Sequence, residues 1–105
     1  MVLGSPGGST IITSVIQNIL NMLEYDMTIQ EAVSAPRFHY QWLPDSIKVE
    51  TSFDTLNFPS LKRLGYNIDQ SNSPIIGKVD AILVLPDGTL EGGADPRGDD
   101  SAEGF

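Results

Sequence analysis

Two adjacent glycines sit in the run Gly4-Ser5-Pro6-Gly7-Gly8-Ser9-Thr10, directly ahead of an apolar helical pattern. Glycine reaches backbone conformations closed to other residues and lets another group come close to the peptide. The first N–H groups of the helix behind it have no internal partners, and the helix dipole makes that end attractive to negative charge. Exposed amides in such a place suit a bound anion, or the oxyanion that forms during acyl transfer. A plain tight turn into a helix explains the run equally well when it is taken alone.

The helical pattern itself is strong. Ile11, Ile12, Val15, Ile16, Ile19, Leu20 and Leu23 recur at spacings of one, three and four and share a stripe, with Gln17, Asn18 and Asn21 elsewhere on the wheel. Ser9 is the expected N-cap. Buried against a sheet or a second helix, the stripe would contribute roughly 10 kcal/mol as an upper figure. Such an anchored helix would hold the glycine loop rigid.

A second helix is expected from the capping box Thr28-Ile29-Gln30-Glu31, ending at Ala35 because Pro36 disfavours helical geometry before it. Residues 37–45 read as an ordered aromatic and polar connection. His39, the only histidine, reads as a packed structural residue and not as a general base. No second histidine or carboxylate pair accompanies it at ligand spacing, so no metal site is expected. Trp42 is expected as a core or interface anchor.

Further along, Ile47-Lys48-Val49-Glu50 alternates as a half-buried strand does. Residues 54–64 look helical, with Pro59 interrupting and Gly65 as the stop, so either two short turns or a helix beginning near Pro59 is expected. Residues 66–69 alternate again. Residues 79–85 are continuously apolar and predict a central strand covered on both faces. Pro86-Asp87-Gly88-Thr89 is a turn, and a return strand follows to about Gly93. Helices, mixed strands and a closing hairpin give an α+β arrangement in a single domain segment, residues 1–105.

Charge bounds the function. The 105 residues carry a formal net charge of −8 with six cationic side chains, and no basic cluster exists to neutralise phosphates, which excludes nucleic-acid binding. Asp95, Asp99, Asp100 and Glu103 crowd the tail and read as a solvated terminus. Without cysteine there is no disulfide or thiolate chemistry. Arg37 and Arg97 each stand beside a proline. They read either as surface ion pairs of little worth or as forks of donors that meet carboxylates across a subunit junction.

Several segments together resemble the C-terminal part of the small subunit of the gamma-glutamyltranspeptidase family. They are Gly4-Ser5-Pro6-Gly7-Gly8-Ser9 with Ile11-Ile12, Ala35-Pro36-Arg37-Phe38-His39, Gln41-Trp42-Leu43-Pro44-Asp45, Pro86-Asp87-Gly88, Ala94-Asp95-Pro96-Arg97 and the terminal Gly104-Phe105. The likeness runs in order through essentially the whole chain.

The resemblance implies a fragment of the four-layer αββα fold of N-terminal nucleophile hydrolases, with helices on a largely antiparallel sheet. It implies transfer of a gamma-glutamyl group from glutathione-type substrates to water or an amine, without a cofactor. Gly7 and Gly8 match the family's oxyanion-stabilising glycines, and Arg37 and Arg97 fall in family motifs as structural or assembly residues. The catalytic threonine lies upstream of this chain in the family, so Thr10 and Thr13 are not the nucleophile and the isolated chain is expected to be inactive. The implied partners are the large subunit and the upstream small-subunit segment of the same precursor, and a homo-oligomer is expected of the chain alone. The implied location is periplasmic or extracellular. A related acylase or capsule-processing transpeptidase segment, and a non-catalytic anion-binding module, remain open as alternatives.

Overall fold

The computed structural model describes residues 1–70 and 75–104; the terminal Phe105 of the family-like ending lies outside them. The elements in chain order are β1 (Val2–Gly4), a 3-10 turn (Gly8–Thr10), α1 (Ile11–Leu23), α2 (Ile29–Ser34), β2 (Phe38–His39), β3 (Ile47–Val49), α3 (Phe58–Arg63), β4 (Ile68–Asp69), β5 (Asp80–Val84) and β6 (Leu90–Gly93). They form two three-stranded sheets, ordered β1-β5-β6 and β2-β3-β4. Among the described residues only the β3–β4 pairing is parallel; β1–β5, β2–β3 and β5–β6 are antiparallel.

The core sits where α2 lies on the first sheet. Ile29 and Val33 of α2 pack on Val79 and Ala81, with Leu3, Met22 and Leu83 at the margin. The helix approaches β6 so closely that a Cβ at Gly93 would meet the Ile29 carbonyl oxygen at 3.0 Å. The expected capping box is present, Thr28 accepting from the Glu31 amide while Glu31 reaches back to the Thr28 amide. Ala35 is extended and ends the helix as Pro36 requires.

Strand β5 is central in its sheet, as its composition predicts. It is covered on one face only: Ala81 is buried, whereas Ile82 and Val84 on the opposite face are about half exposed. The turn after it has Gly88 at φ +86°, with the Asp87 carboxylate accepting the Thr89 amide at 2.9 Å. Helix α3 begins at Phe58 with Pro59 in its first turn, and Gly65 follows it at φ +96°.

Helix α1 departs from expectation. Its face toward the rest of the chain is polar over its first turns, with Ser14 and Asn18 buried and Met22 following at the margin of the core, while Ile11, Ile12, Ile16, Leu20 and Leu23 are exposed, Ile12 to 78%. The stripe therefore contributes little of the burial energy that its pattern promises within this chain. Hydrogen bonds dock the helix instead. Gln17 clamps the edge of β2, donating to the Phe38 carbonyl at 2.7 Å and accepting the Phe38 amide at 3.1 Å. Ser9 falls inside the 3-10 turn, and Thr10 takes the N-cap position without a side-chain capping bond. Trp42 is not in the core; it is 73% exposed and has φ +73°.

Candidate functional site

The glycine loop leaves β1 at Gly4 and enters the 3-10 turn at Gly8. Gly7 has φ +136° and Gly8 φ +60°, so both take left-handed conformations that favour glycine. The Gly7 carbonyl is held inward by the Thr10 amide at 3.2 Å and the Thr10 hydroxyl at 2.9 Å, and the Gly8 carbonyl accepts the Ile11 amide. Both glycines are exposed. Neither of their amides donates a hydrogen bond among the described residues. The carbonyls are thus pinned and the amides left free, on a loop that starts a helix, where N–H groups are available to an anion.

Behind the loop, His39 is buried and bound at both ring nitrogens. Nδ1 lies 2.7 Å from Thr13 Oγ1 and Nε2 lies 2.8 Å from Gln41 Oε1. It links α1 to the chain after β2 as a packed structural residue, the role its sequence context suggests. Among the described residues, no group of three or more His, Cys, Asp or Glu side chains is placed to hold a metal ion.

Arg37 and Arg97 come together around two buried carboxylates. Arg37 Nη2 meets Asp95 Oδ2 at 2.8 Å, and Arg97 Nη1 meets Asp95 Oδ1 at 3.0 Å. Arg97 also forms a fork on Glu50, with Nε 2.6 Å from Oε1 and Nη2 on Oε2. The same guanidinia satisfy the carbonyls left open at the end of α2. Both donate to the Val33 carbonyl, Arg37 at 2.8 Å and Arg97 at 2.9 Å, and Arg97 also reaches the Ala35 carbonyl.

The carboxylates that meet these arginines therefore belong to this chain and not to a partner across a junction. Arg37 is 1% exposed and Asp95 0%, so neither surface pairing nor a solvated tail describes them; only Asp99, Asp100 and Glu103 of the acidic cluster are exposed. Burial pulls Arg37 below its ordinary value. It acts on Arg97 in the same sense, but there the bonds to Glu50 and Asp95 prevail and hold the guanidinium above its ordinary value.

Glu50 and Asp95 were not legible as a pair from sequence, because 45 positions separate them. The one local signal was Asp95-Pro96-Arg97, a carboxylate two residues before an arginine, and that contact does form, with the Arg97 amide 2.9 Å from Asp95 Oδ1. An apolar groove of about 520 Å³ also opens beside α1, with Leu20, Tyr25, Met27, Phe38 and Phe53 in its lining. The lining includes neither Gly7 nor Gly8.

The family profile of gamma-glutamyltranspeptidase matches residues 1–105. The glutathione hydrolase proenzyme of Escherichia coli (strain K12) is 42% identical over 106 residues, covering 100% of this chain and 18% of that protein. Among solved structures, an acivicin-inhibited gamma-glutamyltranspeptidase superposes with a TM-score of 0.86 at 48% identity, over 93% of this chain and 53% of that one. The gamma-glutamyltranspeptidase of Pseudomonas nitroreducens complexed with L-DON gives 0.87 at 34% identity, over 99% of this chain and 54% of that one. The chain thus spans about half of each solved chain and under a fifth of the E. coli protein. Its α+β layout of helices on mixed and antiparallel sheets is the N-terminal nucleophile hydrolase architecture of those structures. By profile, sequence and fold, the chain belongs to the gamma-glutamyltranspeptidase family.

Proposed function

We propose that residues 1–105 form the C-terminal portion of the small subunit of a gamma-glutamyl-transferring enzyme, and that Gly7 and Gly8 supply its oxyanion-stabilising amides. The observation that supports this reading is the pair of exposed, unengaged amides on a loop whose carbonyls are tied down. In the proposed reaction, the hydroxyl of an upstream threonine attacks the gamma-glutamyl carbonyl, and the oxygen of that carbonyl takes up negative charge. Two fixed N–H donors stabilise that charge more than they stabilise the neutral ground state, and this difference lowers the barrier. Collapse of the intermediate re-forms the carbonyl and expels the amine, which leaves with a proton. Water or a second amine then attacks the ester and regenerates the hydroxyl.

The substrate class we assign is glutathione-type, in keeping with the E. coli relative's name of glutathione hydrolase. The partners we assign are the large subunit and the upstream small-subunit segment of one precursor, since that relative is a proenzyme. Arg37 and Arg97 are assigned a structural and assembly role, because their donors are directed at backbone carbonyls and buried carboxylates. We place the enzyme in the periplasm or outside the cell on the same family grounds.

The test is kinetic. The purified chain alone should release no amine from a gamma-glutamyl anilide. In the assembled, matured enzyme, Gly8→Val should lower kcat by about a hundredfold or more while KM changes little. An unaltered kcat in a properly matured Gly8→Val enzyme overturns the assignment.

A further inference from the structure

Residues 76–79 lie against the glycine loop. Each of their peptides is held by a side chain. The Ile76 amide donates to Glu50 Oε1 at 3.4 Å, and the Ile76 carbonyl accepts from Arg37 Nη1 at 3.0 Å and from Ser14 Oγ at 3.3 Å. The Gly77 carbonyl accepts from Arg37 Nη1 at 3.3 Å. The Lys78 amide donates to Ser5 Oγ at 3.0 Å, and the Val79 amide donates to Asp95 Oδ2 at 2.6 Å. Ile76 and Val79 are fully buried. A segment bonded in this way, by an arginine and both carboxylates of the buried cluster, has little freedom to shift.

Gly77 is where this segment touches the loop. It has φ +69°, and a Cβ there would fall on Ser14 Oγ, 2.8 Å from Ser5 Oγ and 2.9 Å from Ser14 Cβ. Ser5 lies in the glycine loop, and Ser14 lies in the first turns of the helix that follows it. From the other side, a Cβ at Gly7 would lie 3.5 Å from the Gly77 Cα. Gly7 therefore faces Gly77 across about the space of one methyl group, with the Thr10 hydroxyl the nearer neighbour at 2.5 Å from that Cβ position.

We infer that Gly77 and Ser5 are positioning residues that set where the Gly7–Gly8 amides stand, and that through them the buried arginine–carboxylate cluster reaches the proposed oxyanion site. The inference rests on the oxyanion reading given above. Gly77 fixes the separation by lacking a side chain. Ser5 fixes the register, because its hydroxyl ties the loop to the Lys78 peptide. An alanine at Gly77 has to push both the Ser14 and the Ser5 side chains aside, by several tenths of an ångström or more. Misplacement of catalytic donors by ~1 Å costs on the order of a hundredfold in rate, so a smaller shift should cost about tenfold.

The experiment uses the matured two-chain enzyme and compares Gly77→Ala, Ser5→Ala, Ser5→Thr and Gly8→Val. Gly77→Ala and Ser5→Ala should lower kcat by about tenfold with little change in KM, and Ser5→Thr, which keeps the hydroxyl, should recover most of the loss. If both alanine variants keep full kcat while Gly8→Val loses it, the positioning inference is overturned and the oxyanion reading stands. If Gly8→Val also keeps full kcat, the oxyanion reading falls and takes this inference with it. If Gly77→Ala does not mature, the Ser5 pair decides: an unchanged kcat in Ser5→Ala, a raised KM alone, or a Ser5→Thr enzyme no better than Ser5→Ala each overturns it.

Discussion

Asp95 is fully buried between two guanidinium groups, and its carboxylate also accepts the Val79 amide at 2.6 Å and the Arg97 amide at 2.9 Å. Burial by itself pushes its pKa up. The two backbone donors and the two arginines outweigh that penalty and hold it below the ordinary 3.8. A carboxylate depressed in the folded state contributes stability that is complete above its unfolded value and is lost as pH falls through the folded one. Stability of the chain should therefore drop as pH falls below about 3.8. Asp95→Asn should flatten that acid limb and lower stability at neutral pH by about 3 kcal/mol, because it strands Arg37 in a buried site. Thermal unfolding across pH for both proteins checks the two expectations; matching acid limbs would remove Asp95 from the account. In the sequence, Asp95 looks like one acid among several near the tail, since charge alone does not tell a buried carboxylate from its solvated neighbours. Its burial is set by Arg37 and Glu50, which are distant in the chain.

Among the elements, α2 followed its sequence signals closely. The capping box and the proline that ends the helix act within a few residues of one another, so both could be read directly. Thr28→Ala should cost about 1 kcal/mol and Thr28→Ser much less; equal denaturant midpoints for the wild type and Thr28→Ala would count against the cap. The glycine turn at Gly88, the late start of α3 and the central place of β5 were legible for the same local reason. The orientation of α1 was not. A period of 3.6 shows that one face is apolar, but it does not show which surface that face meets. In this chain the polar inward contacts come from Ser14, Gln17 and Asn18; sequence reasoning set Gln17 and Asn18 off the apolar stripe and passed over Ser14. The spacing of Ser14 and Asn18, four apart with short polar side chains, was the available sign of a helix docked by hydrogen bonds. Around the candidate site, the glycine turn ahead of α1 could be read from its motif, whereas the place of Gly77 against it could not, since Ser5, which a Cβ at Gly77 would meet, lies 72 positions away.

At the scale of the molecule, the chain is long and thin, 49 × 25 × 20 Å. Its radius of gyration is 14.8 Å, where a compact domain of this length has about 13 Å. A molecule of this shape covers little of its own apolar surface. Ile12, Ile16, Leu20 and Leu23 stand out along α1, Ile82 and Val84 on the uncovered face of β5, and Trp42 on its loop. Apolar surface of that extent usually meets a partner, and identical chains most often pair about a two-fold axis. The isolated chain should therefore associate with itself, and sedimentation over a range of concentrations should show its mass rising. Ile12→Lys should weaken that association while changing stability by no more than about 0.5 kcal/mol, because the side chain is outside the core. A strictly monomeric wild-type chain would defeat this expectation.

The bonds from Arg97 to Val33, Ala35 and Glu50 join residues 64, 62 and 47 positions apart. During synthesis those partners leave the ribosome well before Arg97 does. Until then the Val33 carbonyl has only Arg37 to meet it, and the Ala35 carbonyl and the carboxylate of Glu50 await their cation. Contacts this distant in sequence form slowly, because the loop entropy is lost before the contact rewards it. The nascent chain thus reaches residue 95 with its central cluster still open, and Asp95 and Arg97 close it together.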